Sequence, residues 1–409
     1  MESNRPEVTF ADSVEAATDI VLNVELDELE TDPYPFYKWM RDVCPISYAP
    51  ATGRVLVTTW ELCSEAGIND VVFGPTKQAH ETVYGCPNIM SMTGPEHRGL
   101  RNAANAPFRP KAVQKYQESG IRATAARYIE SIRQQGRADA TTEILEPISQ
   151  RVIGDVLGFT DLDDSTLSHW FHVYAEYLVD LGRDPAVAGR TKVVKAEVTD
   201  YLSARWHDLK EHPDDSGLSR LVRDGMPPGE SRSVADLVGT VGVLMVGGFQ
   251  EPAHSAANTL LGLMGRPDQA IRVADDPAKW SRAALEEGLR WLAPFGMTEK
   301  LTTQDVLLGG LLIPADTEVG LVIGSANRDP RRFQNPDVYD LDRTEQGNQS
   351  FGFGAHFCIG HVVSRILGQV VLEEMFSRLP NIRQDPDNEP VVHGWQVRAA
   401  KKLPIMWDA

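Results

Sequence analysis

Ten residues near the C-terminus, Phe351-Gly352-Phe353-Gly354-Ala355-His356-Phe357-Cys358-Ile359-Gly360, bring together a thiol, an imidazole and three glycines. An amphipathic stretch follows, with Val362, Val363, Ile366, Leu367, Val370, Val371 and Phe376 on its apolar face. This order predicts Cys358 at a helix N-terminus, where free N–H groups and partial positive charge lower a thiol's pKa. Gly352, Gly354 and Gly360 let the backbone take positive φ and approach something large and flat. Residue types alone leave three readings. A lone cysteine in apolar company is usually an inert core thiol. A nucleophile would need His356 as its base, from a poor position two residues away. Cys358, His356 and His361 lack the spacing of a zinc site.

Three further sets could serve such a centre. Glu287-Gly288-Leu289-Arg290 puts a carboxylate and a guanidinium one helical turn apart, a pair also common on solvated faces. His97-Arg98-Gly99-Leu100-Arg101, after Gly94-Pro95-Glu96, puts two cations four residues apart, able to reach one anion. Residues 234–264 read as one long helix, apolar on nearly every face through Leu244-Met245-Val246-Gly247-Gly248-Phe249. Such a helix lies in the middle of a large domain. Pro252 cannot donate to the Gly248 carbonyl, so the helix should kink beside Gln250 and Glu251.

The elements that must position these groups follow from pattern and composition. The 409 residues are 42% hydrophobic, enough for a large core, and Lys+Arg 40 against Asp+Glu 58 leaves a net charge of -18. That balance argues against non-specific binding to nucleic acid or anionic lipid. No basic flank leads into an apolar stretch at the N-terminus, and Gly239 to Phe249 is too short to span a bilayer. A cytoplasmic protein without membrane contact is expected. Cys44, Cys63, Cys86 and Cys358 are too dispersed for a disulfide framework or a zinc ribbon. No repeat, low-complexity tract or linker interrupts the chain, so residues 1–409 are expected to form a single domain. Helical periodicity covers 111–135, 145–158, 166–181, 191–210 and 276–292; strand-like pieces stand at 54–58, 306–308 and 317–322. The expected fold is mainly α, with small peripheral β-sheets.

At every fixed position the cysteine loop resembles the haem-binding loop F-G-x-G-x-H-x-C-x-G of the cytochrome P-450 haem-thiolate monooxygenases. The resemblance implies a cytochrome P-450 fold over nearly the whole chain, with a helical core around haem b. It implies Cys358 as the iron ligand, with Phe351, Gly352 and Gly360 against the haem. His97, Arg101, Lys300 and His356 become candidates for the propionates. Lys300 stands where the family more often has Arg, and an ammonium cannot make the bidentate contact. Glu287 and Arg290 match the family's E-x-x-R pair, and Arg343 would complete a buried structural network. The long helix would cross the distal face, where the usual pattern is A-G-x-[D/E]-T. Here an amide replaces the acid and Glu251 takes the threonine position. Gln250 and Glu251 are therefore the catalytic candidates, and burial is expected to raise the Glu251 pKa toward the range useful for general acid work.

The Q-E-P-x-H turn (Gln250 to His254), with the stretches at 212–216, 224–229 and 287–291, resembles bacterial guaiacol and alkylguaiacol O-demethylases. That branch implies oxidative removal of methyl from a methoxylated aromatic, giving a catechol and formaldehyde. Phe73, Tyr84, Phe171, Val243, Gly247, Phe295, Thr298 and Val397 are the expected pocket lining. Flavin, iron–sulfur and dinucleotide motifs are absent from the sequence. A separate NADH-dependent reductase carrying flavin and a [2Fe–2S] cluster is implied, alongside dioxygen and a small aromatic substrate. The competing readings are a hydroxylase of another apolar small molecule, a peroxide-driven peroxygenase, and a haem sensor or carrier.

Overall fold

A computed structural model of the chain describes residues 8–9, 16–180 and 184–409. The helices that position the candidate groups are α1 (Lys77–Tyr84), α2 (Gly94–Asn105), α3 (Glu146–Leu157), α4 (Asp164–Val179), α5 (Pro185–Glu211), α6 (Val234–Met264), α7 (Pro277–Trp291) and α8 (His361–Arg378). Local chemistry starts several of them. Asp163 accepts from the Thr166 N–H at 2.7 Å to cap α4. Ser233 and Asp236 exchange side chain-to-backbone bonds to begin α6. The stretch 111–135 departs from one continuous helix. It divides into Pro110–Tyr116, a π-helical turn Gln117–Arg122 and Ala123–Ile132. The widened turn holds Gly120 and sends Arg122 to Glu373 and Glu374 of α8 at 2.7 and 2.8 Å.

By length and composition α6 could cross a bilayer, but here its apolar surface is buried against α3, α7 and α8. The largest apolar cluster surrounds it. A seven-stranded sheet lies to one side: β1 (Val8–Thr9), β2 (Val21–Leu22), β3 (Ile46–Ala49), β4 (Arg54–Val57), β5 (Phe73–Gly74), β6 (Thr298–Thr302) and β7 (Glu318–Leu321). Its order is β1-β2-β3-β4-β7-β6-β5. β6 and β7 are antiparallel with Lys300 opposite Val319 and Thr298 opposite Leu321. Thr298 and Lys300, two apart, therefore leave the same face of β6.

Behind the cysteine loop, Glu287 bonds Arg290 at 2.7 and 2.8 Å and Arg343 Nε at 3.1 Å. Arg290 also donates to the carbonyls of Asn327, Pro336 and Val338. The three side chains are at most 5% exposed, so removing one strands charge in a low dielectric. Glu287→Ala should lower unfolding free energy by about 3–5 kcal/mol in a denaturant titration. A change below about 1 kcal/mol would show that the network is not structural.

Candidate functional site

The loop from Phe351 to Gly360 closes on itself. Cys358 N donates to Phe351 O at 2.8 Å, and Phe357 N donates to Gly354 O at 3.1 Å. Gly352 (φ 71°) and Gly354 (φ 56°) hold conformations that a Cβ would strain, and a Cβ on Gly354 would collide with Asp70. α8 begins only at His361, so Cys358 lies ahead of the first helical turn. Burial pushes its thiol up to about 11, outweighing the Gly360 N–H that favours the thiolate. The acidic thiol expected from a helix start is thus corrected: desolvation wins, and a bound metal cation is what would draw the proton off.

Beside the loop, the rings of His97 and His356 stack at 4.5 Å between centroids. Burial depresses both, His356 to about 4 with help from His97, Lys300 and Arg101, and His97 with help from Arg101. Both shifts favour the neutral ring, so in this fold Arg101 is the firmer cation of the His97–Arg101 pair, and each imidazole can still donate one N–H. His97 Nε2 and His356 Nδ1 are buried without hydrogen-bond partners. Arg101 donates to the Phe357 carbonyl. Lys300 Nζ bonds Asp70 at 3.0 Å, while the other Asp70 oxygen accepts from Ala355 N at 2.6 Å. A thiol, two unsatisfied imidazoles, a guanidinium and an ammonium converge here. That donor set fits haem, with sulfur for iron and nitrogen donors for carboxylates.

The cavity between loop and distal helix has an empty volume of about 1380 Å³, part of it open to solvent. Phe351, Gly352, Cys358, Ile359, Gly360 and Val363 form one wall. Val243, Leu244, Gly247, Gly248, Glu251 and Ser255 of α6 form another, with Phe108, Ile153, Phe295, Thr298 and Lys300 between. Pro252 leaves the Gly248 carbonyl without its helical donor, and Ser149 Oγ of α3 donates to it at 3.0 Å. Gly248 permits that approach, since a Cβ there would lie 2.6 Å from Ile153 Cγ2. Glu251 Oε2 is buried and unpartnered, and burial pushes this carboxyl up to about 8.

Several expected positions lie elsewhere. Gln250 is buried with Oε1 unpartnered, outside the lining, because one residue turns a helix by about 100°. Phe73 sits in the core beneath the sheet, where β5 pairs with β6 at Thr302. Tyr84 stacks on Tyr174 at 6.3 Å, and Phe171 packs edge-on to Phe249 at 6.2 Å. Val397 is buried at a backbone bridge to Phe295 and does not line the cavity. Val243, Gly247, Phe295, Thr298 and Glu251 do line it. Sequence reasoning missed Asp70, His80, Phe108, Ile153 and Ser255. Ser255 follows Glu251 by four residues, a helical spacing that could have revealed it.

This fold and this site define a haem-thiolate protein. The family model described as Cytochrome P450 matches residues 280–402. Cytochrome P450-SU2 of Streptomyces griseolus is 30% identical over 336 residues, covering 81% of this chain and 80% of the relative. The 6-deoxyerythronolide B hydroxylase of Saccharopolyspora erythraea is 26% identical over 411 residues, covering 95% and 99%. The ligand-free structure of cytochrome P450 TbtJ1 superposes with a TM-score of 0.84 at 27% identity, over 93% of this chain and 99% of that one. The chain belongs to the cytochrome P450 family of haem-thiolate monooxygenases.

Among the described residues, Cys358 is the cysteine that lines this cavity. The reduced carbonyl complex should therefore show the red-shifted Soret band of thiolate ligation, and Cys358→His should lose it. An unchanged spectrum in the variant would exclude Cys358 as the ligand.

Proposed function

We propose that this monooxygenase O-demethylates a methoxylated aromatic ring, converting a guaiacol or 4-alkylguaiacol to a catechol and formaldehyde. The observation that carries the reading is the cavity wall just before Pro252 of α6. There Gly247 carries no side chain and the unpartnered Glu251 carboxyl takes the place of a hydroxyl. Cys358 would hold the iron, His97, Arg101, Lys300 and His356 the propionates, and Phe351, Gly352 and Gly360 the adjoining face. Haem bound there supplies dioxygen activation, which thiolate ligation favours.

The chain's own residues select and orient the substrate. Phe108, Phe295 and Val243 offer apolar faces to a ring, and Gly247 leaves space at the kink. A charged ring would lose hydration without repayment from such walls. Glu251 Oε2 holds a proton up to pH of about 8 and gives it into the cavity. In the net reaction the methyl carbon gains a hydroxyl while dioxygen, two electrons and two protons are consumed and water leaves. The hemiacetal then breaks the bond between the former methyl carbon and the aryl oxygen, and the hydroxyl proton ends on that oxygen as the phenol. A separate NADH-dependent reductase with flavin and a [2Fe–2S] cluster supplies the electrons. Hydroxylation of a different apolar molecule is the second reading, favoured by the named activity of the hydroxylase relative.

Spectral titration with a panel of methoxyaromatics tests the substrate class. Guaiacols should shift the Soret band and yield formaldehyde close to one per NADH. A response confined to benzoate-type acids or to large polycyclic molecules would overturn the assignment. Turnover should fall as pH rises through about 8 and Glu251 ionises, and Glu251→Gln should remove that limb and uncouple NADH oxidation from product.

Stability carries a matching sign. The fold raises the Glu251 pKa, so it favours the protonated form, and stability is lost as pH rises toward about 8. Glu251→Gln should flatten the decline in Tm between about pH 5 and 8. A parallel decline in both proteins would assign it to other groups.

A further inference from the structure

We propose that Glu251 is reloaded with protons from solvent along a path formed by His172, Glu146 and His254. The proposal rests on the reading of Glu251 as the proton donor of the cavity. His254 follows Glu251 by three residues on α6, so both side chains leave one side of the helix. It is 1% exposed, and neither ring nitrogen has a hydrogen-bond partner. A fully buried imidazole left unbonded is a poor structural choice, since an apolar ring would fill the same space without stranded polar atoms. Its Nε2 lies 3.6 Å from Glu146 Oε1. The other oxygen, Glu146 Oε2, lies 3.6 Å from His172 Nε2 on α4. The His172 side chain is 58% exposed, and its Nδ1 donates to the Ser168 carbonyl at 2.7 Å, which turns Nε2 toward Glu146. Three titratable groups thus step from His254 to the surface, and the three-residue helical spacing carries the last step to Glu251.

The placement is built into α3. Glu146, Ser149 and Ile153 recur at helical spacing on the face that meets α6. Ile153 packs at Gly248, Ser149 bonds the Gly248 carbonyl, and Glu146 reaches His254. Lys401 also faces the group and acts on Glu146, Glu251 and His254. Burial first, then Lys401, lower the His254 pKa to about 4, so the ring passes a proton on rather than keeping it. Tyr84 and Cys358 are the other titratable groups that feel Glu251. In each reload, His172 gives a proton from Nε2 to Glu146, and Glu146 gives one to His254 Nε2. His254 passes the proton on Nδ1 to the Glu251 carboxylate, and His172 takes a replacement from water. Glu251 alone ends with changed charge, and His254 ends as the other tautomer, which a ring flip must reset before the next reload.

The test follows hydrogen–deuterium exchange of the protonated Glu251 carboxyl in the holoenzyme, by infrared difference spectroscopy on transfer to D2O. Its C=O band is identified by its loss in Glu251→Gln. Exchange should slow at least tenfold in His254→Phe and in His172→Gln, with substrate-binding spectra unchanged and less product per NADH. His172 is at the surface, so that variant keeps the fold. Wild-type exchange rates in both variants would overturn the path. Wild-type turnover and coupling in Glu251→Gln would instead overturn the donor reading, while the exchange rates still decide the route.

Discussion

One hydrogen bond that α6 cannot make organises the cavity. Pro252 has no N–H for the Gly248 carbonyl, and a buried carbonyl left alone costs about 1–3 kcal/mol. Ser149 from α3 supplies the missing donor at 3.0 Å. That bond requires the two helices to approach closely, which in turn requires a residue without Cβ at Gly248 against Ile153. Proline, glycine, serine and isoleucine therefore form one interlocked device on two helices. Its product is a stable gap in the helical hydrogen-bond ladder beside Glu251 and the bare backbone of Gly247, both of which line the cavity.

Polar groups in this interior divide by whether they are satisfied. Glu287, Arg290 and Arg343 meet one another and several carbonyls, so their charge is compensated and their geometry held. Around the cavity the opposite holds: His97 Nε2, His356 Nδ1, Glu251 Oε2 and both nitrogens of His254 lack hydrogen-bond partners, His254 Nε2 having only the longer ion-pair contact to Glu146. Buried polar atoms without partners are rare in folded proteins and point to a ligand, a water or a transferred proton. The first two atoms belong to the stacked rings beside the cysteine loop. Glu251 lines the cavity from α6, and His254 follows it by three residues on that helix. Support and function thus occupy separate networks on either side of the cysteine loop.

What was legible in the sequence is what local covalent structure decides. The long apolar run 234–264 is α6 with the same bounds, since capping and periodicity both act within a few residues. The cysteine loop and the Glu287–Arg290 pair were legible because backbone conformation and one helical turn set their geometry. Side-chain direction was not. Phe73, Tyr84 and Phe171 are aromatic and come from elements near the cavity, yet each points into the core or onto a neighbouring ring. Gln250 shares the kink with Glu251 but faces another way around the helix. Asp70, which holds Lys300 and the Ala355 amide, is 230 residues from its partner in the chain, and no local pattern could announce it.

The thiol of Cys358 shows how tertiary burial overrides local electrostatics. A helix beginning nearby favours the thiolate, but its field falls off within a turn, whereas desolvation acts on the whole group. Burial raises Cys358 and Glu251 alike, and a charge on either disfavours a charge on the other. With the thiol raised by burial, a metal cation is what would make the sulfur anionic. Among the described residues, Lys401 is the cation that acts on Glu251, and burial outweighs it. One constraint, burial of both groups between the loop and α6, thus separates the two walls into a thiol that needs a cation to ionise and an acid that keeps its proton.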